Sequence, residues 1–229
     1  DQGRQIGIRS TVTAHSVSAM QDTLEMAKSE GIAAVHFEPL FETERSRENR
    51  MAPPRREEFT QNLLSCFLKG LEYDIDVSYS GLRCFDHPHF RFCSACGDNF
   101  GLTIDGHITT CYEVLELEDP ASKCFFIGKV NVKEGTVDID EEKVSYLKGR
   151  ETNNLTGCRE CRLKFNCAGD CAVKVYRACD GDIFGTNTER CLLAKDINKQ
   201  VIRWVADGFI EPRDKNKSLI YTYDCGELS

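Results

Sequence analysis

Residues 6–40 read "IGIRSTVTAHSVSAMQDTLEMAKSEGIAAVHFEPL", and the hydrophobic period changes twice within them. Residues 6–12 alternate and carry β-branched side chains, the pattern of a strand with one face turned to a core. From Ser16 to Glu30 the apolar Val17, Met20, Leu24 and Ala27 recur at three- and four-residue steps, which fall on one helix face. Ser16 can cap that helix, and Ser18 with Gln21 can form a capping box. Gly31 stands where the helix should stop. Residues 32–40 then read as a second, largely buried strand. A strand, a helix and a strand in so short a span predict a βαβ unit, with parallel strands and a right-handed crossover.

Working outward, residues 42–58 are charged and contain Pro53–Pro54, so they read as a surface loop. Glu58 to Leu71 has Phe59, Leu63, Phe67 and Leu71 in helical register, and residues 73–80 are a further strand candidate. Residues 1–83 thus read as the end of a β/α repeat. Between residues 81 and 92 the texture changes to short alternating segments crowded with cysteine. Residues 100–114 predict a hairpin turning at Asp105–Gly106, and residues 123–140 two more short strands turning at Glu134–Gly135. Residues 141–150 read as a short helix, 201–209 as a last helical stretch and 211–229 as a polar tail. The expected fold class is α+β, in three segments: 1–83, 84–210 and 211–229.

The bulk numbers exclude several functions. A formal charge of −8 and a pI near 5.2 argue against nucleic acid as a partner, because an acidic surface repels it. No apolar run approaches the roughly 20 residues that span a bilayer, so no membrane role is expected. The N-terminus has neither an initiating Met nor a signal-peptide pattern. The expectation is a cytoplasmic protein, and a piece cut from a longer one.

Thirteen cysteines are unusual in such a chain, and four of them crowd into "GCRECRLKFNCAGDC" (157–171). An odd count, clustered spacing and no export signal favour metal over disulfides. Two groups stand out. The first is Cys93–x2–Cys96–x9–Gly106–x4–Cys111; the second is Cys158–x2–Cys161–x5–Cys167–x3–Cys171–x19–Cys191. Eight thiolates supply two four-sulfur sites. Zinc accepts such sites but usually takes paired short spacings in each half, which Cys–x5–Cys–x3–Cys lacks. Ligand softness suits zinc and iron–sulfur alike, and the spacing favours iron–sulfur.

The pattern from Cys96 to Cys191 resembles the SPASM domain, the auxiliary-cluster module of radical S-adenosylmethionine enzymes that modify peptides and proteins. The likeness covers roughly residues 90–195. Residues 1–80 resemble, less specifically, the last β/α units of the partial TIM-like barrel that precedes the module in those enzymes. The resemblance implies that this barrel end is followed by a small, irregular hairpin-and-helix iron–sulfur domain with two [4Fe–4S] clusters. Cys96, Cys111 and Cys171 would hold the first, with Cys93 as fourth ligand and Cys84 as its competitor. Cys158, Cys161, Cys167 and Cys191 would hold the second. That Cys171 closes the first cluster comes from the family and not from the spacing.

The sequence departs from the family in two ways. The radical-generating Cys–x3–Cys–x2–Cys motif is absent, so S-adenosylmethionine cleavage would fall to another part of a longer enzyme. Where sulfatase-maturing relatives carry an Asp after the third cysteine, this chain has Tyr112 and Glu113, a departure from that identity; Glu113 reads either as a proton acceptor near the first cluster or as a solvated strand-end carboxylate. Arg9 and Glu38 lie at predicted strand ends, where barrels gather functional groups. They would contact S-adenosylmethionine or substrate, or simply brace neighbouring strands as an ion pair. Cys66 reads as a small buried side chain, the two His of "DHPH" (86–89) as loop residues, and Cys124, Cys179 and Cys225 receive no role. The expected partners are a peptide or protein substrate and an external electron donor or acceptor. A zinc-binding interaction module and a free-standing electron-transfer protein are the rival readings.

Overall fold

The computed structural model describes residues 6–83 and 87–210, so Cys84, Cys225 and the tail 211–229 lie outside the described residues. The fold is mixed α+β. It contains a parallel three-stranded sheet and an antiparallel four-stranded sheet, and the described strands do not close into a barrel. The chain divides into two compact units. One is built from residues up to His87 together with residues from Leu192 on, the other from Pro88–Cys191.

In the first unit β1 (Gly7–Val12), β2 (Ala34–Pro39) and β3 (Asp76–Ser78) lie side by side in that order. A single-turn 3-10 segment (Val17–Ala19) leads into α1 (Met20–Ser29), which joins β1 to β2 and ends before Gly31, at φ +67°. The predicted βαβ unit is therefore present, with Arg9 beside His36 and Thr11 beside Glu38. α2 (Glu44–Glu48) occupies part of the stretch predicted to be loop. Its helix start is hidden in a compact exchange: Thr43 Oγ1 accepts from the Ser46 amide at 3.2 Å while Ser46 Oγ accepts from the Thr43 amide at 2.8 Å. α3 (Arg56–Tyr73) follows and terminates at Asp74 in the left-handed region.

The strands separate two chemistries. Val12, Val35, Phe37 and Val77 point to the face covered by helices, where they bury against Met20 and Leu24 of α1 and Phe59, Leu63 and Phe67 of α3. The last helix, α8 (Thr188–Ala206), adds Leu193, Ile197 and Val201 to the same core. It is longer than the predicted 201–209, and from Leu192 onward it belongs to the first unit although the sequence groups it with 84–210. Asn198, fully buried, ties it down by donating from Nδ2 to the Gly81 carbonyl at 2.8 Å and to the Ala194 carbonyl at 2.7 Å. The other face of the sheet carries Arg9, Thr11, His36, Glu38 and Ser78.

The second unit is built around β4 (Gly101–Leu102), β5 (His107–Thr109), β6 (Phe126–Asn131) and β7 (Thr136–Ile139), paired in sequence order. The predicted hairpin forms, but its loop has three residues. The Thr103 amide donates to the His107 carbonyl at 2.9 Å, and Gly106 takes φ +78° as the left-handed residue that closes such a loop. The four-residue α4 (Ser122–Phe125) precedes β6. α5 (Glu141–Lys148) is capped by Asp140, which accepts from the Lys143 amide at 3.0 Å. Two short helices, α6 (Lys164–Cys167) and α7 (Ala172–Ala178), flank the end of the cysteine-rich run.

Candidate metal centre

The cysteines of the second unit sit on turns and helix ends rather than in mid-element. Cys93 and Cys96 are joined by a tight turn, the Cys96 amide donating to the Cys93 carbonyl at 3.3 Å. Cys96 is fully buried, and Cys111 is buried just after β5. The hydroxyl of Thr109 fixes Cys111 from both sides: it accepts from the Cys111 amide at 3.2 Å and donates to the Cys111 carbonyl at 3.1 Å. Cys158 and Cys161 form a second turn, closed at 3.0 Å. Cys167 is the last residue of α6, Cys171 immediately precedes α7, and Cys191 lies in the first turn of α8.

The five residues 167–171 hold the main local feature. On a continuous helix, residues four apart share a face, and Cys167 and Cys171 would point the same way. Instead Ala168, Gly169 and Asp170 all take positive φ, at +56°, +78° and +65°. A left-handed conformation costs about 1–2 kcal/mol for a residue with a Cβ, so Ala168 and Asp170 are held there by their surroundings. Gly169 is required on two counts, since a Cβ there would also stand 2.2 Å from Leu155 Cδ1. The turn sends the chain from α6 to α7 and separates the directions of the two cysteines.

The electrostatic neighbours of each thiol follow that separation. Burial pushes the Cys171 thiol up to about 12, Lys174 opposes the shift, and Cys93 adds to it. Burial likewise pushes Cys111 up to about 12, with Cys171 contributing. The Cys167 thiol is also pushed up to about 12 by burial, and its cysteine neighbours are Cys158 and Cys191. Cys171 thus lies within electrostatic reach of Cys93 and Cys111, and Cys167 within that of Cys158 and Cys191. Cys96 is raised by burial, offset by the charges of Arg150 and Arg91. Cys124, assigned no role from its spacing, lies within electrostatic reach of Lys143, Cys96 and Arg150 and is pushed up to about 11 by burial.

Such thiols are protonated at neutral pH and are poor nucleophiles as they stand. A bound metal displaces the proton, so the same burial that disfavours a bare thiolate suits a thiol that is to be metallated. Among the described residues no three Cys, His, Asp or Glu side chains converge closely enough to hold a single metal ion. The thiols of each set are near enough to influence one another but not packed around one ion. A cubane is a larger object whose four thiolates sit farther apart, and it draws them from several loops. The donor set is compatible with such groups: it is all-sulfur, Cys96 and Cys111 are buried and the other six partly buried, and six of the eight fall into two electrostatic neighbourhoods.

Two salt-bridge systems that the sequence did not reveal surround these cysteines. Asp170 and Arg190 are both buried, and Arg190 Nε donates to both carboxylate oxygens at 2.8 Å. These are the residues directly before Cys171 and Cys191. Arg91 pairs with Asp98 and, at 2.9 Å, with Glu151. Glu113 is exposed and pairs with Arg177 at 3.5 Å, as a solvated carboxylate would.

In the first unit Arg9 is exposed on β1, and Glu38 is buried at 5 % exposure on β2. The two are not an ion pair. Glu38 instead accepts from Ser80 Oγ at 2.5 Å and stands 3.4 Å from His36 Nε2, while His36 Nδ1 lies 3.0 Å from Ser78 Oγ. A single charged residue in a strand pattern carries no mark of burial, so the His36–Glu38–Ser80 chain was not readable from sequence. Cys66 is fully buried in α3, as expected of a small core side chain. No described helix is long and apolar enough to cross a membrane.

No protein-family model matches the chain, and no curated protein matches it.

Proposed function

We propose that this chain is the auxiliary-cluster portion of a radical S-adenosylmethionine enzyme that modifies a peptide or protein in the cytoplasm. What supports this reading is that six of the eight spaced cysteines fall into two electrostatic neighbourhoods, Cys171 with Cys93 and Cys111, and Cys167 with Cys158 and Cys191. The interleaving that the family resemblance implies is supported by the left-handed turn at 168–170, which interrupts the helix between Cys167 and Cys171. In this reading Cys93, Cys96, Cys111 and Cys171 hold one [4Fe–4S] cluster, and Cys158, Cys161, Cys167 and Cys191 hold the other. When bound, such clusters supply one-electron transfer at potentials tuned by burial and by hydrogen bonds to sulfur.

The first unit supports a second part of the proposal, that it is a slice of a partial TIM-like barrel. Its parallel sheet has helices over one face and polar residues over the other. Parallel sheets are buried on both faces, and a polar inner face is where a cofactor or substrate is held. Glu38 and Arg9 stand on that face in this reading, Glu38 oriented by Ser80 and His36 and facing S-adenosylmethionine. The Cys–x3–Cys–x2–Cys motif is absent from the sequence, so radical generation belongs to residues outside it. An external donor or acceptor exchanges electrons with the clusters.

Anaerobic purification with iron and acid-labile sulfide analysis tests the reading. About eight irons and as many sulfides per chain are expected for two cubanes; zinc without sulfide refutes it. Cys167→Ala is expected to remove one cluster and spare the other, and retention of both would refute the ligand division.

A further inference from the structure

The antiparallel sheet of the second unit ends in two edge strands, β4 and β7, and their chemistry differs. β7 carries Asp138, with Lys129 opposite it on β6, and charge on an edge keeps further strands away. β4 carries no charge, and among the described residues it has β5 on one side and no strand on the other. Leu102 pairs with Ile108, Ile108 with Gly128 and Gly128 with Ile139, so one row of residues crosses the sheet on a single face. Ile108 belongs to the core at 6 % exposure, whereas Leu102 at the end of the row is 63 % exposed. The apolar row therefore stops, uncovered, at β4. Phe100 and Ile104 on either side are exposed as well. So is Tyr112, whose ring packs against Gly101 and whose hydroxyl donates to Asn99 Oδ1 at 3.1 Å.

The main chain of this edge can pair too. The Thr103 amide donates to the His107 carbonyl across the hairpin, and the alternation of an antiparallel pair then turns the Leu102 amide and carbonyl to the open side. Charge selects what can add there. From Phe92 to Ser122 the chain has no Lys or Arg and six acidic residues: Asp98, Asp105, Glu113, Glu116, Glu118 and Asp119. Asp98, Glu113 and Asp119 pair with Arg91, Lys148 or Arg177. Asp105, Glu116 and Glu118 are exposed and have no ion-pair partner among the described residues. A second copy of the chain would bring the same acidic edge and be repelled by it. A strand with apolar side chains on one face and basic ones on the other complements both the row and the charge.

We infer that the β4 edge is a docking site for an extended peptide segment of alternating apolar and basic residues, which adds to the sheet as a fifth strand. Main-chain hydrogen bonds at Leu102 set its register, its apolar side chains continue the row of Ile108 and Leu102, and its cations answer the acidic stretch that includes Asp105. The inference does not rest on the cluster reading. Two simpler kinds of contact behave differently. Charge attraction alone is indifferent to the order of residues in the peptide, and apolar contact alone is indifferent to its backbone N–H groups.

The test uses the full chain, purified anaerobically, and a fluorescent, end-blocked hexapeptide of alternating Lys and Val followed by polarisation. Saturable binding is expected, weaker in about 0.5 M than in about 0.05 M salt. The same peptide N-methylated throughout, and a block peptide of three Lys followed by three Val, should each bind about tenfold more weakly. Leu102→Lys changes an exposed side chain, so it should leave the melting midpoint in place and weaken binding about tenfold. Asp105→Lys should weaken it about threefold. Equal binding of the N-methylated or block peptide, equal binding of a Glu–Val hexapeptide, undiminished binding by a folded Leu102→Lys chain, or no saturable binding would each overturn the inference. Self-association of the wild-type chain that Leu102→Lys abolishes would overturn it as well, by making a second copy the occupant of this edge.

Discussion

The Asp170–Arg190 pair offers the sharpest quantitative test of how the two thiol neighbourhoods are held together. Arg190 Nε lies 2.8 Å from each carboxylate oxygen, and the two side chains are 9 % and 12 % exposed. At that separation and an effective dielectric of 20, the gross attraction is about 6 kcal/mol. Desolvation of the two ions offsets much of it, so the pair as a whole contributes little beyond a well-packed apolar substitute. Breaking it from one side is another matter. Asp170→Asn takes the Asp170 charge from the buried Arg190 guanidinium, and the expected loss is about 3–4 kcal/mol. For a cooperative unit of this size, each kcal/mol moves the melting midpoint by about 4–8 °C. The midpoint of the metal-free Asn variant should therefore fall by at least about 12 °C in calorimetry.

A double-mutant cycle separates the pair from its surroundings. Arg190→Met alone strands the Asp170 carboxylate and should destabilise comparably. The combined Asp170→Asn/Arg190→Met chain should recover much of the loss, giving a coupling of about 2–3 kcal/mol. A coupling of about 0.5 kcal/mol or less, the level of an exposed pair, would refute the assignment of a buried clamp between the residues preceding Cys171 and Cys191.

Two further outcomes follow from the same region. The thiols of Cys111, Cys167 and Cys171 rise from 9.0 to about 12 on folding, so the metal-free fold keeps their contribution below pH 9.0 and loses it as the pH climbs towards 12. Its urea midpoint should fall between about pH 8 and about pH 11, and a flat profile would show that these thiols are not buried in the metal-free chain. Gly169→Ala places a Cβ against Leu155 in a left-handed residue. It should cost about 2–4 kcal/mol by chemical denaturation, and a loss under about 0.5 kcal/mol would mean the 168–170 turn is free to open.

The first unit was legible because its signals are periodic. Val17, Met20, Leu24 and Ala27 mark a helix, the alternation around Ile8 and Val12 marks a strand, and Gly31 ends the helix where its φ requires it. Where periodicity failed, so did the reading. α2 has only five residues and starts on a reciprocal Thr43–Ser46 exchange rather than on an apolar stripe. The beginning of α8 was missed because its first turn, around Cys191, reads as part of a cysteine run, although Leu193, Ile197 and Val201 have helical spacing. The Gly106 turn was placed correctly but given one loop residue too few, since the Thr103–His107 closure depends on backbone register and not on composition.

The cysteine spacing was legible, yet how the thiols are distributed was not, and the reason lies in three residues. The spacing Cys–x3–Cys is what a helix would use to put two sulfurs on one face, so sequence alone groups Cys167 with Cys171. Ala168, Gly169 and Asp170 break that rule by turning left-handed in succession, against the preference of two of them. Only Gly169 advertises the conformation in the sequence. What holds Asp170 in place comes from elsewhere: Arg150, nineteen residues before Gly169, takes the Gly169 and Asp170 carbonyls, and Arg190, twenty residues after Asp170, takes its carboxylate. Neither arginine stands in any motif, and an isolated Arg in a sequence is most often a solvated one.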